Sequence, residues 1–225
     1  MTRDEIAQMI DVSAVRADSA DAEVAAAVQT ACACGCFLVT VLPAQIQRAK
    51  QFLAHCVHPP KLGGNVGFPS GGQTTTIKAA EARELAALGV DEIDMVMDIA
   101  AHLSGRREDV LHDMAAVVEA AEGRPVKVIL ECCYLTDDQI RAACDLAIRA
   151  EAAFVKTSTG WAPGGATVEA VSLIKAHVGE AIRIKASGGI RDLETLLALY
   201  RCGASRFGIS HRSAGKIFRF PRFCC

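Results

Sequence analysis

Short apolar runs alternate with stretches of helical periodicity along nearly the whole chain. The runs lie near Ile10 to Val15, Phe37 to Val41, Asn65 to Phe68, Ile93 to Met97, Val126 to Leu130, Ala153 to Thr157, Ile182 to Ala186 and Arg206 to Ile209. They are rich in Val, Ile and Phe and read as continuous rather than alternating, the pattern of parallel strands covered on their outer side. Their spacing of roughly 25–35 residues is about that of one strand-plus-helix unit. Between them, Asp21 to Ala33 carries Val24 and Val28 four apart, and Thr76 to Leu88 sets Lys78, Glu81 and Glu84 beside Ala79, Ala82, Leu85 and Ala86. Thr136 and Gln139 form a capping box that predicts a helix to about Ala150. Gly89 and Gly203 stand a few residues before strands, where helix C-terminal caps are expected.

Repetition of this unit over 225 residues predicts an α/β fold, a single-domain (β/α)8 TIM barrel spanning 1–225 with an atypical tail from about 211. A doubly wound open sheet is the alternative; it carries fewer strands and a glycine-rich first turn, and no G-x-G-x-x-G occurs here. The hydrophobic fraction of 51% supports one large core. A formal net charge of −2 provides no electrostatic footprint for nucleic acid or an anionic membrane. No apolar run reaches spanning length, and Met1 to Glu5 lacks the apolar core of a signal peptide. The expectation is a cytoplasmic protein. Its ten cysteines are spread through apparent helices and strands, which predicts reduced, mostly buried thiols rather than a zinc site or a disulfide framework.

Candidate chemistry begins with Ala153-Phe154-Val155-Lys156-Thr157-Ser158-Thr159-Gly160. A lysine ending a buried strand either extends its tip into solvent, the usual fate of lysine, or is held partly out of water, which disfavours its charged form. Such an amine can attack a carbonyl and form a Schiff base. Lys185 repeats the arrangement in Ile182-Arg183-Ile184-Lys185-Ala186-Ser187-Gly188-Gly189. Asp94, flanked by apolar residues, needs a partner or a raised pKa. It is read as a general acid/base beside a reactive lysine, or as the ion-pair partner of a barrel lysine. In a barrel these groups share the mouth at the C-terminal strand ends, with Asp11 contributing from below. Gly160, Gly188, Gly189 and Ser210 follow the last strands, where backbone N–H groups can cradle a phosphate.

Phe154 to Gly160 resembles the Schiff-base signature of the deoxyribose-phosphate aldolases, class I aldolases with a TIM-barrel fold. Asp91 to Val96, Lys127 to Glu131, Lys185 to Arg191, and Val66 to Pro69 with Lys78 and Glu81 fit the same family, in order, over about residues 6 to 211. The resemblance implies reversible cleavage of 2-deoxy-D-ribose 5-phosphate to acetaldehyde and D-glyceraldehyde 3-phosphate, in deoxyribose catabolism. Lys156 would be the nucleophile, Lys185 the neighbouring ammonium that lowers its pKa, and Asp94 the proton carrier. Asp11 would hold Lys185, while Gly160, Gly188, Gly189 and Ser210 would receive the phosphate. No metal or organic cofactor is implied. The partner is a small-molecule sugar phosphate, not nucleic acid or membrane, and a homo-oligomer, dimer or tetramer, is implied. A catalytically impaired sugar-phosphate-binding homologue, or another phosphate-binding barrel lyase or isomerase, are the alternatives.

Departures from the commoner family residues are Ser13, Thr40, Asp98 and Trp161. The tail from His211 to Cys225 alternates arginine with phenylalanine, contains Pro221 and lacks the C-terminal tyrosine of some relatives. A closing helix is poorly specified there, and the expectation is that the tail weakens closure of the last unit.

Overall fold

The computed structural model describes residues 1–218. Its eight strands form a closed, all-parallel barrel in sequence order: β1 (Ile10–Ala14), β2 (Leu38–Val41), β3 (Lys61–Val66), β4 (Glu92–Val96), β5 (Val126–Ile129), β6 (Phe154–Lys156), β7 (Arg183–Ser187) and β8 (Arg206–Ser210). The barrel closes where Ile10 to Ser13 pair in register with Phe207 to Ser210. The open-sheet alternative is therefore excluded.

Helices α1 (Arg3–Ala7), α2 (Asp21–Cys34), α3 (Ile46–Leu53), α4 (Thr75–Ala87), α5 (Ile99–Leu103), α6 (Arg107–Ala120), α7 (Asp137–Arg149), α8 (Val168–Val178), α9 (Leu193–Arg201) and α10 (His211–Phe218) accompany the strands. None of them is long and apolar enough to cross a membrane. Successive strand residues face opposite sides, so Ile93, Val128, Val155 and Ile184 join the helix-facing core while their neighbours fill the barrel. The predicted capping box is present: Thr136 Oγ1 accepts from Gln139 N while Thr136 N donates to Gln139 Oε1 at 2.9 Å. Gly89 and Gly203 follow the ends of α4 and α9 with positive φ, as expected of glycines just past a helix.

Three expectations need correction, and one buried lysine is added. The third strand runs Lys61–Val66 rather than Asn65 to Phe68. The strand therefore begins earlier than the apolar run and contains Gly63 and Gly64, where neighbouring side chains crowd the space a Cβ would occupy. A Cβ at Gly64 would lie 2.6 Å from Leu85 Cδ2, and one at Gly63 2.9 Å from Leu38 Cδ2. Lys78, for which helical periodicity carried no burial expectation, is fully buried; it donates to Asp113 Oδ2 at 2.7 Å and to the Val96 carbonyl at 3.0 Å.

Cys32 and Cys56 form a disulfide between α2 and the segment after α3, where reduced thiols were expected. Sequence distance concealed that pairing. Finally, α10 is well formed where a closing helix had been judged poorly specified. Ala214, Ile217 and Phe218 are buried with helical spacing, and Ser210 Oγ accepts from Ser213 N to cap its first turn. Pro221 and the rest of the arginine- and phenylalanine-containing tail lie outside the described residues.

Candidate active site

The barrel interior holds a connected set of buried charges. At the N-terminal ends of β8 and β4, Arg206 donates to Glu92 at 3.1 Å and to Asp11 at 2.9 Å. Lys127 on β5 contacts Glu92 at 2.8 Å, Asp94 Oδ1 at 2.7 Å and Asp11 at 3.9 Å. Above these, Lys185 on β7 bridges Asp11 and Asp94, reaching Asp94 Oδ2 at 2.8 Å. Lys156, the last residue of β6, donates to the same Oδ2 at 2.7 Å. Asp94 is thus the hub, accepting from three lysines.

The charge balance singles out Lys156. Four cations (Lys127, Lys156, Lys185 and Arg206) face three carboxylates (Asp11, Glu92 and Asp94) in this network. Each of the other cations reaches at least two carboxylates, whereas Lys156 is salt-bridged to one. Burial is the largest influence on Lys156. Together with the positive charges of Lys185 and Lys127, it outweighs the attraction of Asp94 and lowers the amine to about 8. Burial by itself would raise the Asp94 carboxyl, but Lys127, Lys156 and Lys185 together hold it well below the usual carboxylate range. Burial also opposes ionisation of Asp11, where Lys185, Lys127 and Arg206 prevail and lower its pKa.

Lys156 faces a cavity of about 190 Å³ at the C-terminal ends of the strands, the face where barrel active sites are built. Lys185, Gly160, Gly188, Gly189 and Ser210 also line it, so the sequence-predicted groups converge on one chamber. Asp94 and Asp11 lie within the ion-pair network, joined to it through the two lysines. The turns of Gly160 and Gly188 pack directly on one another. Gly188 has φ +84°, and a Cβ there would sit 3.0 Å from Gly165 Cα and 3.6 Å from Gly160 Cα. Only glycine combines that left-handed backbone with so close an approach. Ser210 lines the cavity, although its side chain also caps α10.

Trp161, in the loop after β6 that lines the cavity, has a structural role. Its Nε1 donates to the Val15 carbonyl at 2.9 Å, and the Arg16 guanidinium lies 4.8 Å from the ring centroid. Arg16 therefore sits at the mouth, beside the Gly160 carbonyl at 3.5 Å. On the other side of the loop, both oxygens of Glu131 accept from Thr159 N at 3.2 Å, and Thr159 Oγ1 donates to Oε2. Thr159 Oγ1 in turn accepts from Trp161 N at 2.9 Å. Glu131 holds this position with φ +55°, a left-handed conformation uncommon for a residue with a side chain. Burial raises its carboxyl pKa.

Sequence reasoning did not assign roles to Lys127, Glu92, Arg206, Arg16 or Glu131. A signal existed for two of them. Lys127 interrupts an apolar strand, and Glu92 stands two residues before Asp94, on the same strand face. Arg16 and Glu131 lie in loops, where sequence order says nothing about which neighbours they meet.

The chain matches the model of the DeoC/LacD family aldolases over residues 6–208. It is 45% identical over 217 residues to a deoxyribose-phosphate aldolase of Klebsiella pneumoniae, covering 96% of this chain and 87% of that protein. A solved structure of a putative deoxyribose-phosphate aldolase from Coccidioides immitis superposes with a TM-score of 0.90 at 35% identity, covering 96% of this chain and 85% of that one. The tetrameric deoxyribose phosphate aldolase of Aeropyrum pernix gives a TM-score of 0.84 at 27% identity, covering 96% and 90%. A closed eight-stranded barrel with a buried lysine cluster at its mouth, matched over nearly its whole length, belongs to the DeoC/LacD aldolase family.

Proposed function

We propose that this protein cleaves 2-deoxy-D-ribose 5-phosphate reversibly to acetaldehyde and D-glyceraldehyde 3-phosphate. The observation that carries the reading is Lys156, an amine lowered to about 8, facing the cavity while touching Asp94. Neutral Lys156 Nζ attacks the aldehyde carbon of the open-chain sugar. The carbinolamine loses its hydroxyl as water, with the proton supplied through the Asp94–Lys185 pair, and a protonated imine remains. That cation draws electrons from the bond between the second and third carbons. As the bond breaks, the hydroxyl on the third carbon gives up its proton and becomes the carbonyl of glyceraldehyde 3-phosphate. The electron pair stays on the lysine-bound two-carbon fragment as an enamine. Protonation of the enamine carbon and hydrolysis of the imine release acetaldehyde and restore the amine. Each step moves a proton near Asp94, whose two contacts to Lys156 and Lys185 support the carrier role.

Gly160, Gly188, Gly189 and Ser210 receive the phosphate, with Arg16 as the cation at the mouth. The deoxyribose-phosphate aldolase from Klebsiella pneumoniae supports the substrate assignment. The tetramer from Aeropyrum pernix supports a homo-oligomer. Chemistry on a soluble sugar phosphate fits a single barrel domain working in the cytoplasm. The test is release of acetaldehyde from deoxyribose 5-phosphate, coupled to an NADH-dependent alcohol dehydrogenase. Lys156→Ala should abolish it, and borohydride with acetaldehyde should leave an ethyl group on Lys156. Wild-type rates from Lys156→Ala would overturn the mechanism.

A further inference from the structure

Among the described residues, nine buried side-chain nitrogen or oxygen atoms lack a hydrogen-bond partner. Four of these, Thr40 Oγ1, Asn65 Oδ1, Asn65 Nδ2 and Ser187 Oγ, belong to residues lining the cavity over Lys156. Asn65 is the extreme case, because both ends of its amide are unpaired in a side chain that is 1% exposed. Buried polar groups are ordinarily paired, and leaving one unpaired costs stability. An apolar residue would fill an inward strand position without that cost. Asn65 on β3 stands in register with Asp94 on β4, so it occupies the barrel wall one strand from the carboxylate that touches Lys156. Thr40 stands on the adjoining strand β2, paired with Gly63 two residues before Asn65. Neither side chain is hydrogen-bonded to the ion-pair network.

We infer that Asn65, with Thr40 beside it, is the specificity-determining group that recognises the hydroxyl on the aldehyde half of the substrate. This is the hydroxyl between the reacting carbonyl and the carbon bearing phosphate, and the inference rests on the aldolase reading above. The amines and carboxylates of the network act at the reacting carbons, and the glycine turns take the phosphate. The polar group that remains is a hydroxyl, which both donates and accepts. A primary amide is the side chain that offers one of each in complement. With an aldehyde lacking the hydroxyl, the amide stays unpaired in the complex, which is how a polar pocket rejects a deoxy analogue.

The test uses the synthetic direction, with acetaldehyde and either glyceraldehyde 3-phosphate or 3-oxopropyl phosphate, the same chain without the hydroxyl. The wild type should prefer the hydroxylated aldehyde in kcat/KM by at least a hundredfold. Asn65→Leu should reduce that preference at least tenfold and should raise the melting temperature, since an unpaired buried amide has been removed. Thr40→Val, nearly isosteric, repeats the test with less steric change and should lower the preference to a smaller extent. An unchanged preference in both variants, or equal losses on both aldehydes with a lowered melting temperature, would overturn the inference and make Asn65 a structural residue. A wild type that condenses neither aldehyde refutes the aldolase reading instead. The melting temperature of Asn65→Leu then decides alone: a rise supports a side chain reserved for a ligand, and a fall overturns it.

Discussion

Replacing Lys185 by leucine tests whether neighbouring charge helps to set the reactivity of Lys156. Both amines donate to Asp94 Oδ2, at 2.7 and 2.8 Å, so they lie within about 5.5 Å of each other. At that separation and an effective dielectric constant of about 20, their repulsion is about 3 kcal/mol, or about two pKa units. Both side chains are buried, so solvent screening takes little from this figure. Removing the charge should move Lys156 from about 8 toward about 10. A lowered amine pKa increases the neutral, nucleophilic fraction at every pH below it. The wild-type rate of imine formation should therefore rise about tenfold per pH unit and level off above about 8. In Lys185→Leu the rise should continue almost two units further, leaving trapping at pH 7 roughly thirty- to a hundredfold slower. The assay is mass-spectrometric detection of the borohydride-reduced acetaldehyde adduct on Lys156, measured from mildly acidic to strongly alkaline pH. Near-ultraviolet circular dichroism would confirm that the variant is folded, because Asp11 and Asp94 each lose a partner. Lys185→Arg, which keeps the charge, should leave the levelling point near the wild-type value. A Lys185→Leu profile that still levels near 8 would refute the role of Lys185 and leave burial and the charge of Lys127 as the causes.

Two further outcomes follow from the mouth and from the outer shell. Arg16→Ala should lower the ratio of kcat/KM for 2-deoxyribose 5-phosphate over unphosphorylated 2-deoxyribose by about five- to tenfold. That magnitude corresponds to about 1 kcal/mol for a charge contact at an exposed rim; equal losses on both sugars would instead assign Arg16 to packing of the Trp161 loop. Replacing Cys32 and Cys56 together by serine should lower stability by about 3 kcal/mol, the loop-closure entropy returned to an unfolded chain with that bridge removed. Urea denaturation under non-reducing conditions measures this, and a midpoint equal to that of the wild type would show that the bridge contributes nothing.

Much of the fold was legible because each strand–helix unit signals itself locally. Continuous Val- and Ile-rich runs, the Thr136–Gln139 box and the glycines after α4 and α9 depend on residues a few positions apart. Local reading failed where neighbours from other units intervene. Gly63 and Gly64 belong to a strand through pairing with β2 and β4, with Leu38 and Leu85 crowding the space a side chain would need, and Lys78 is buried because Asp113, 35 positions away, receives it. The last helix was obscured by the composition beyond it, although Ala214, Ile217 and Phe218 supply an apolar face.

The sequence by itself determined the barrel, the two strand-end lysines, the carboxylate between apolar neighbours and the glycines of the final turns. It did so because strand periodicity and backbone conformational demands are written over a few consecutive residues. Only the tertiary structure decided which charges meet. It placed three lysines around Asp94, set four cations against three carboxylates, and gave Lys156 the fewest ion-pair partners. It also placed Arg16 on Trp161 and left the Asn65 amide unpaired at the cavity wall. These properties depend on distances between residues far apart in the chain and on exclusion of water. Closing the barrel creates both at once.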